Sequence, residues 1–213
     1  MSVTLLQGLI LALIVFAFAW DARWECFFVF HPIIVCFVTG LVLGDWKLGL
    51  EAGAIAELSY LGLTTVGGTV PPNALIAGLM TVVLAYKSGV SAETALGLSL
   101  SFALLMQWIV IACQSLFSGF NVKVEQAIKQ NDIKKFKFYV FLPEIILTSL
   151  YAVVAFLSTY ALQNVLSKFV NSFPEFVSHG FEIAGGLLPG LGLALLLNCL
   201  LYTSDAADDL LCV

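Results

Sequence analysis

The chain has 213 residues, 61% hydrophobic and 11% charged, with a mean hydropathy of +1.02. Soluble domains carry roughly 25% charged residues, so a water-soluble enzyme is excluded. A formal charge of −5 and a pI near 4.9 argue against a nucleic-acid partner. The apolar residues form long, nearly uncharged runs separated by short polar loops. Only helices and closed barrels satisfy every backbone group in lipid, and a barrel would alternate apolar and polar positions. The fold class is therefore an all-α polytopic membrane protein. Cys26, Cys36, Cys113, Cys199 and Cys212 show no ligand or disulfide spacing and read as small apolar residues. With no Walker motif, nucleophile elbow or zinc signature, the sequence asks for no cofactor and no metal.

The first run, Val3 to Trp20, lacks the basic front and small-residue cleavage site of a signal peptide and reads as a retained membrane helix. A charged turn, Asp21 to Glu25, separates it from a second run, Cys26 to Leu43, with Trp20 and Trp24 where interfacial aromatics are favoured. Leu48 to Leu63 and Asn73 to Tyr86 are short: as helices they rise ~24 and ~21 Å, against a hydrocarbon core of ~30 Å. Between them Gly67-Gly68 and Pro71-Pro72 break the backbone, and Thr64, Thr65 and Thr69 offer hydroxyls. Two short helices around such a break predict a re-entrant helical hairpin lining a cavity.

A long segment, Thr94 to Phe117, carries Gln107 and Gln114. The loop predicted from Asn121 to Lys137 holds five of the nine basic residues and faces the cytoplasm by the positive-inside rule. Phe138 to Leu162 is a further span, followed by a polar connector, Gln163 to Glu182. In Ile183 to Asn198, Gly185-Gly186, Pro189-Gly190 and Gly192 predict a kinked or broken helix. Residues 199 to 213 put three acids directly after an unfinished apolar run and resemble a translated transposase sequencing adapter. The expectation is a membrane domain over 1–198, truncated at its C-terminus, with a non-native tail over 199–213. Without that tail's three acids the net charge moves from −5 to −2.

Glu57 is the sharpest candidate. At helical spacing Glu57, Tyr60 and Thr64 share a face, and a carboxylate inside an apolar helix marks a ligand or ion path unless it holds loose backbone groups of the broken loop. Asn73, with Thr64, Thr65 and Thr69, supplies the uncharged amides and hydroxyls that suit sugar hydroxyls. Gln107 adds a second buried amide, or a tie between helices. Gln114 is read as structural, as is His31 in the helix-starting pair His31-Pro32. Gly40-x-x-x-Gly44 and Gly49-x-x-x-Gly53 fit close helix packing.

The blocks Phe30-His31-Pro32-Ile33-Ile34-Val35-Cys36, Gly40-Leu-Val-Leu-Gly44-Asp45, Glu57-Leu-Ser-Tyr-Leu-Gly62, Pro71-Pro72-Asn73-Ala74 and Gly180-Phe-Glu182-Ile-Ala-Gly185-Gly186 run in order along the chain. As a set they resemble the IIC membrane subunit of the mannose/fructose/sorbose family of the bacterial phosphoenolpyruvate-dependent sugar phosphotransferase system. The Pro71-Pro72-Asn73 and Gly180-Phe181-Glu182 forms look closest to N-acetylgalactosamine and galactosamine transporters. Where the family is expected to carry Arg-Pro, this chain has His31-Pro32.

The resemblance implies a sugar permease of the bacterial inner membrane that oligomerises with a IID membrane subunit. It implies that the sugar is presented inward to a phosphorylated IIB subunit, with IIA upstream. The phosphohistidines lie on those partners, so neither His31 nor His179 takes that role and the chain is not catalytic alone. The resemblance also marks Glu182 as a residue that helps select an amino sugar. An ion-coupled secondary transporter using Glu57 as its coupling carboxylate is the alternative that broken helices equally allow. A purely structural scaffold would leave Glu57 and the break before Asn73 without purpose.

Overall fold

The computed structural model describes residues 3–63, 70–161, 164–165, 168 and 172–209, with side chains described through residue 198. Among the described residues the α-helices are, in order, α1 (Leu5–Trp24), α2 (Pro32–Leu43), α3 (Trp46–Tyr60), α4 (Ala74–Ser88), α5 (Ala92–Lys129), α6 (Ile133–Phe156) and α7 (Glu175–Asp209). A π-helical turn, Leu157–Ala161, extends α6. No strand occurs among the described residues. α1, α5, α6 with its π turn, and α7 are long and apolar enough to cross a membrane. α2, α3 and α4 have 12, 15 and 15 residues and rise only ~18–22 Å. The short-helix expectation for the middle of the chain therefore holds.

α4 is the centre of the core. Every residue from Leu75 to Ala85 is buried, as expected of a helix that is apolar on all sides. α2 and α3 pack on one flank and α5 on the other, while α1 pairs with α6. Thr81 Oγ1 of α4 lies 2.8 Å from the Ala77 carbonyl oxygen and 3.0 Å from Ser99 Oγ of α5, which itself lies 2.7 Å from the Leu96 carbonyl oxygen, so these buried hydroxyls have partners.

The tightest hairpin joins α2 to α3 through Gly44 and Asp45. Gly44 sits at φ +90, a left-handed cap that glycine adopts without strain. A Cβ on Gly40 would lie 2.6 Å from the Asp45 carbonyl oxygen and 2.8 Å from Gly49 Cα, so the two backbones touch. Here the small-residue spacing builds α2 onto α3. α3 also packs on α4 across the Gly/Pro break, where the sequence placed its hairpin. Thr64, Thr65 and Thr69 lie outside the described residues.

Four boundaries differ from the sequence reading. α1 runs through the charged turn to Trp24 because Asp21 is buried and accepts the Phe27 and Val29 amides at 2.8 Å. The second run becomes helical only at Pro32, since proline suits the first helical position and disfavours helix in the residue before it. The lysine-rich "loop" is mostly helix: α5 continues to Lys129, and only Gln130–Asp132 connect it to α6. A Glu125–Lys129 pair at 2.7 Å supports that extension. Finally, α7 is continuous over Glu175–Asp209 with Pro189 inside it. Gly185 and Gly192 are contact points there rather than breaks, set against the backbone carbonyls of Glu93 and Leu58.

Candidate functional site

A cavity of about 730 Å³ opens where α1, the α1–α2 connection, α3, the start of α4, α5 and α6 converge. That volume falls within the ~300–1,000 Å³ of small-molecule pockets. Glu57, Asn73 and Gln107, chosen from sequence on three separate segments, all line it. So do Arg23, His31, Gln114 and Tyr151.

The polar groups are ordered by helix ends. His31 is the N-cap of α2, but its side chain makes no capping bond. Its Nδ1 lies 2.7 Å from Glu57 Oε1. Glu57 Oε2 accepts the Ile33 amide at 3.1 Å, one of the donors a helix start leaves without an internal partner. A carboxylate at a helix N-terminus also meets the favourable end of the helix dipole. Thus α3 caps α2 from outside and fixes the histidine in the same act.

Pro71 and Pro72 resist helix, and the next residue, Asn73, caps α4 by accepting the Ile76 amide at 3.1 Å. The Asn73 backbone N–H reaches the Ala103 carbonyl of α5 at 3.2 Å. Its side-chain amide donates to the Tyr151 hydroxyl of α6 at 2.6 Å. At the α1 wall, Arg23 makes a bidentate pair with Glu144 of α6, at 2.6 and 3.0 Å. Fork geometry of this kind is a specific property of the guanidinium.

Glu182 is not brought to this cavity. It lines a separate open depression with Ser91, Thr94 and His179, and its carboxylate lies 3.3 Å from His179 Nδ1. Sequence reasoning missed Arg23, Gln114 and Tyr151 as cavity residues and took His31 as structural. The departure from Arg-Pro at His31 was the one signal in the sequence that singled out that position. Arg23 was hidden because it was read into a turn, and Tyr151 because one tyrosine in an apolar span carries no pattern. No group of three or more His, Cys, Asp or Glu residues that could hold a metal ion occurs among the described residues.

Residues 5–206 match the family described as the PTS system sorbose-specific IIC component. The chain belongs to this family. The N-acetylgalactosamine permease IIC component 1 of Escherichia coli (strain K12) is 46% identical over 197 residues, covering 92% of this chain and 74% of that one. The mannose-specific EIIC component of the same strain is 29% identical over 178 residues, covering 80% of this chain and 65% of that one. A solved complex of the mannose transporter ManYZ with microcin E492 contains a similar fold. Its TM-score is 0.69 at 23% identity, with 98% of this chain and 88% of that one covered. The chain is thus a membrane-spanning sugar-permease component that works with other subunits of a phosphotransferase system, and not an enzyme by itself. The ion-coupled alternative gains no support from these matches.

Proposed function

We propose that this IIC component binds a hexose or amino sugar, N-acetylgalactosamine or galactosamine, in the 730 Å³ cavity. In this reading it carries the sugar across the bacterial inner membrane to a phosphorylated IIB subunit. A IID subunit is its membrane partner, IIA recharges IIB, and the lysine-rich α5–α6 end faces the cytoplasm. The observation that carries the proposal is the convergence of Glu57, Asn73 and Gln107 on one wall system, from segments up to 50 residues apart in sequence. An uncharged polyhydroxylated ligand such as N-acetylgalactosamine calls for amides, hydroxyls and a carboxylate-anchored acceptor rather than a strong unpaired cation, and the Arg23 charge is engaged by Glu144. The 46% identity to an N-acetylgalactosamine permease component supports the choice of sugar.

Glu57→Gln and Asn73→Ala are each expected to lower uptake by about tenfold: a charge-assisted hydrogen bond contributes ~1.5–3 kcal/mol, and losing an asparagine cap costs ~0.5–2 kcal/mol while also stripping Tyr151 of its partner. Membrane levels should stay near those of the unsubstituted chain. Sugar uptake in cells with the complete system, with the phosphorylated sugar as the accumulated product, checks this. Normal uptake in both variants would sink the site assignment, and accumulation of unmodified sugar would sink the group-translocating reading.

A further inference from the structure

The polar atoms of the two strongest sequence candidates are already engaged by the protein. Both oxygens of Glu57 have partners, His31 Nδ1 and the Ile33 amide. Asn73 Oδ1 accepts the Ile76 amide and its Nδ2 donates to Tyr151. The residues at the far side of these bonds keep an open position. His31 is the more accessible of its pair, 42% exposed against 20% for Glu57, and no described residue hydrogen-bonds its Nε2. The rings of Phe30 and Phe28, with centroids 5.1 and 6.1 Å away, flank the imidazole. The Tyr151 oxygen accepts from Asn73, so its own proton is free to be given.

We propose that His31 and Tyr151 present the polar atoms that touch the sugar, and that Glu57 and Asn73 are the positioning residues that aim them. This rests on the reading of the cavity as the sugar site. A carboxylate oxygen accepts, so the bond to Glu57 assigns a proton to Nδ1; with a single ring proton, Nε2 is then left as an acceptor. Tyr151 supplies a donor. Gln107, whose side chain has no hydrogen bond to the described residues, supplies an amide that does both. Acceptor, donor and amide come from three different elements, and together they match neighbouring hydroxyls of a neutral sugar ring.

The test is a set of cycles between residues and sugar hydroxyls. Binding of N-acetylgalactosamine and its 3-, 4- and 6-deoxy analogues is measured on the chain in its native membrane complex. Variants are His31→Ala, Tyr151→Phe, Glu57→Gln and the His31→Ala/Glu57→Gln double substitution. One deoxy analogue should bind the unsubstituted protein at least about tenfold more weakly, the effect of one good hydrogen bond to a neutral group. That penalty should vanish in His31→Ala, and the penalty at a different hydroxyl should vanish in Tyr151→Phe. Glu57→Gln turns the partner of Nδ1 into an amide that can donate, which favours the other tautomer, so it should erase the same penalty as His31→Ala. In the double variant no further hydroxyl penalty should be lost. A hydroxyl penalty that disappears only on adding Glu57→Gln to His31→Ala would place Glu57 itself on the sugar and overturn the proposal.

A measurement on the unsubstituted protein guards against variants that fail to fold. Nitrogen NMR of the His31 ring should show Nδ1 protonated and Nε2 bare without sugar, and either the reverse tautomer or a ring protonated at both nitrogens would overturn the proposal. If neither these variants nor Gln107→Ala alters the affinity for any sugar, the cavity reading itself fails. That outcome is distinct from one in which Gln107→Ala weakens binding while His31→Ala and Tyr151→Phe do not, which overturns only the roles assigned to His31 and Tyr151.

Discussion

Arg23 and Glu144 show how a cavity wall can depend on a pair rather than on either member. The guanidinium and the carboxylate are partly buried, and removing one leaves the other desolvated without its partner. Arg23→Ala and Glu144→Ala are each expected to lower the melting temperature of the purified complex more than the Arg23→Ala/Glu144→Ala double substitution does. A double variant that simply sums the two losses would show that the charges act independently. Glu182 tests the reverse case. Because its carboxylate lies beside His179 in a separate depression, Glu182→Asn should leave the ratio of N-acetylgalactosamine to galactosamine uptake unchanged. A changed ratio would return Glu182 to sugar selection. At this scale the sequence revealed the residues that break a rule: a carboxylate in an apolar helix, and an asparagine after two prolines. It concealed those whose placement arises only by juxtaposition, such as Tyr151, whose hydroxyl meets the amide of an asparagine 78 positions away.

Among the elements, α2 and α3 depend on the absence of side chains between them. A methyl group on Gly40 would meet only backbone atoms, which cannot rotate aside. Gly40→Ala should therefore destabilise by ~1–3 kcal/mol, as overpacking does, and lower the amount of folded protein recovered in a thermal-stability assay. The α5–α6 corner is held differently. Asp132 caps α6 by accepting the Lys134 and Lys135 amides at 3.1 Å. The Lys135 amide bond above all, with the Lys135 side chain, holds the carboxyl below its ordinary value of 3.8. A carboxyl with a depressed folded value stabilises fully above its unfolded value, and that contribution fades as pH falls through the folded one. Protection of the Lys134 and Lys135 amides from hydrogen exchange should thus be intact at neutral pH and weaken below about pH 4. In Asp132→Ala it should be low throughout, and an unchanged exchange profile would remove the cap from the account. The short helices were legible because prolines and glycines punctuate them, whereas Asn73 was read as a sugar-binding amide and not as the cap of α4. The length of α5 was not, because clustered lysines read as loop although lysine, glutamate and glutamine are good helix formers.

For the whole molecule, an apolar exterior and a small set of inward polar residues were legible from composition alone, whereas the packing order was not. α4 reads in sequence as one more short apolar segment, yet it is buried along its length, with α2, α3 and α5 packed on it. The proposed orientation has a direct test. With the native cysteines replaced, Lys134→Cys should react with a membrane-impermeant thiol reagent only when the cytoplasmic face is open. Labelling of intact cells from outside would invert the topology. The same end of the molecule carries a consequence for assembly. α5 has 38 residues, and its ~57 Å rise far exceeds the thickness of hydrocarbon it needs to cross. With only Gln130–Asp132 between α5 and α6, the lysines are mounted on a preformed helical corner. Lys123 is also steadied over the rings of Phe120 and Tyr139, at 5.3 and 5.7 Å. A subunit that docks there meets a surface whose backbone is already ordered. Little conformational entropy is then lost on contact, which lets even a brief encounter be specific.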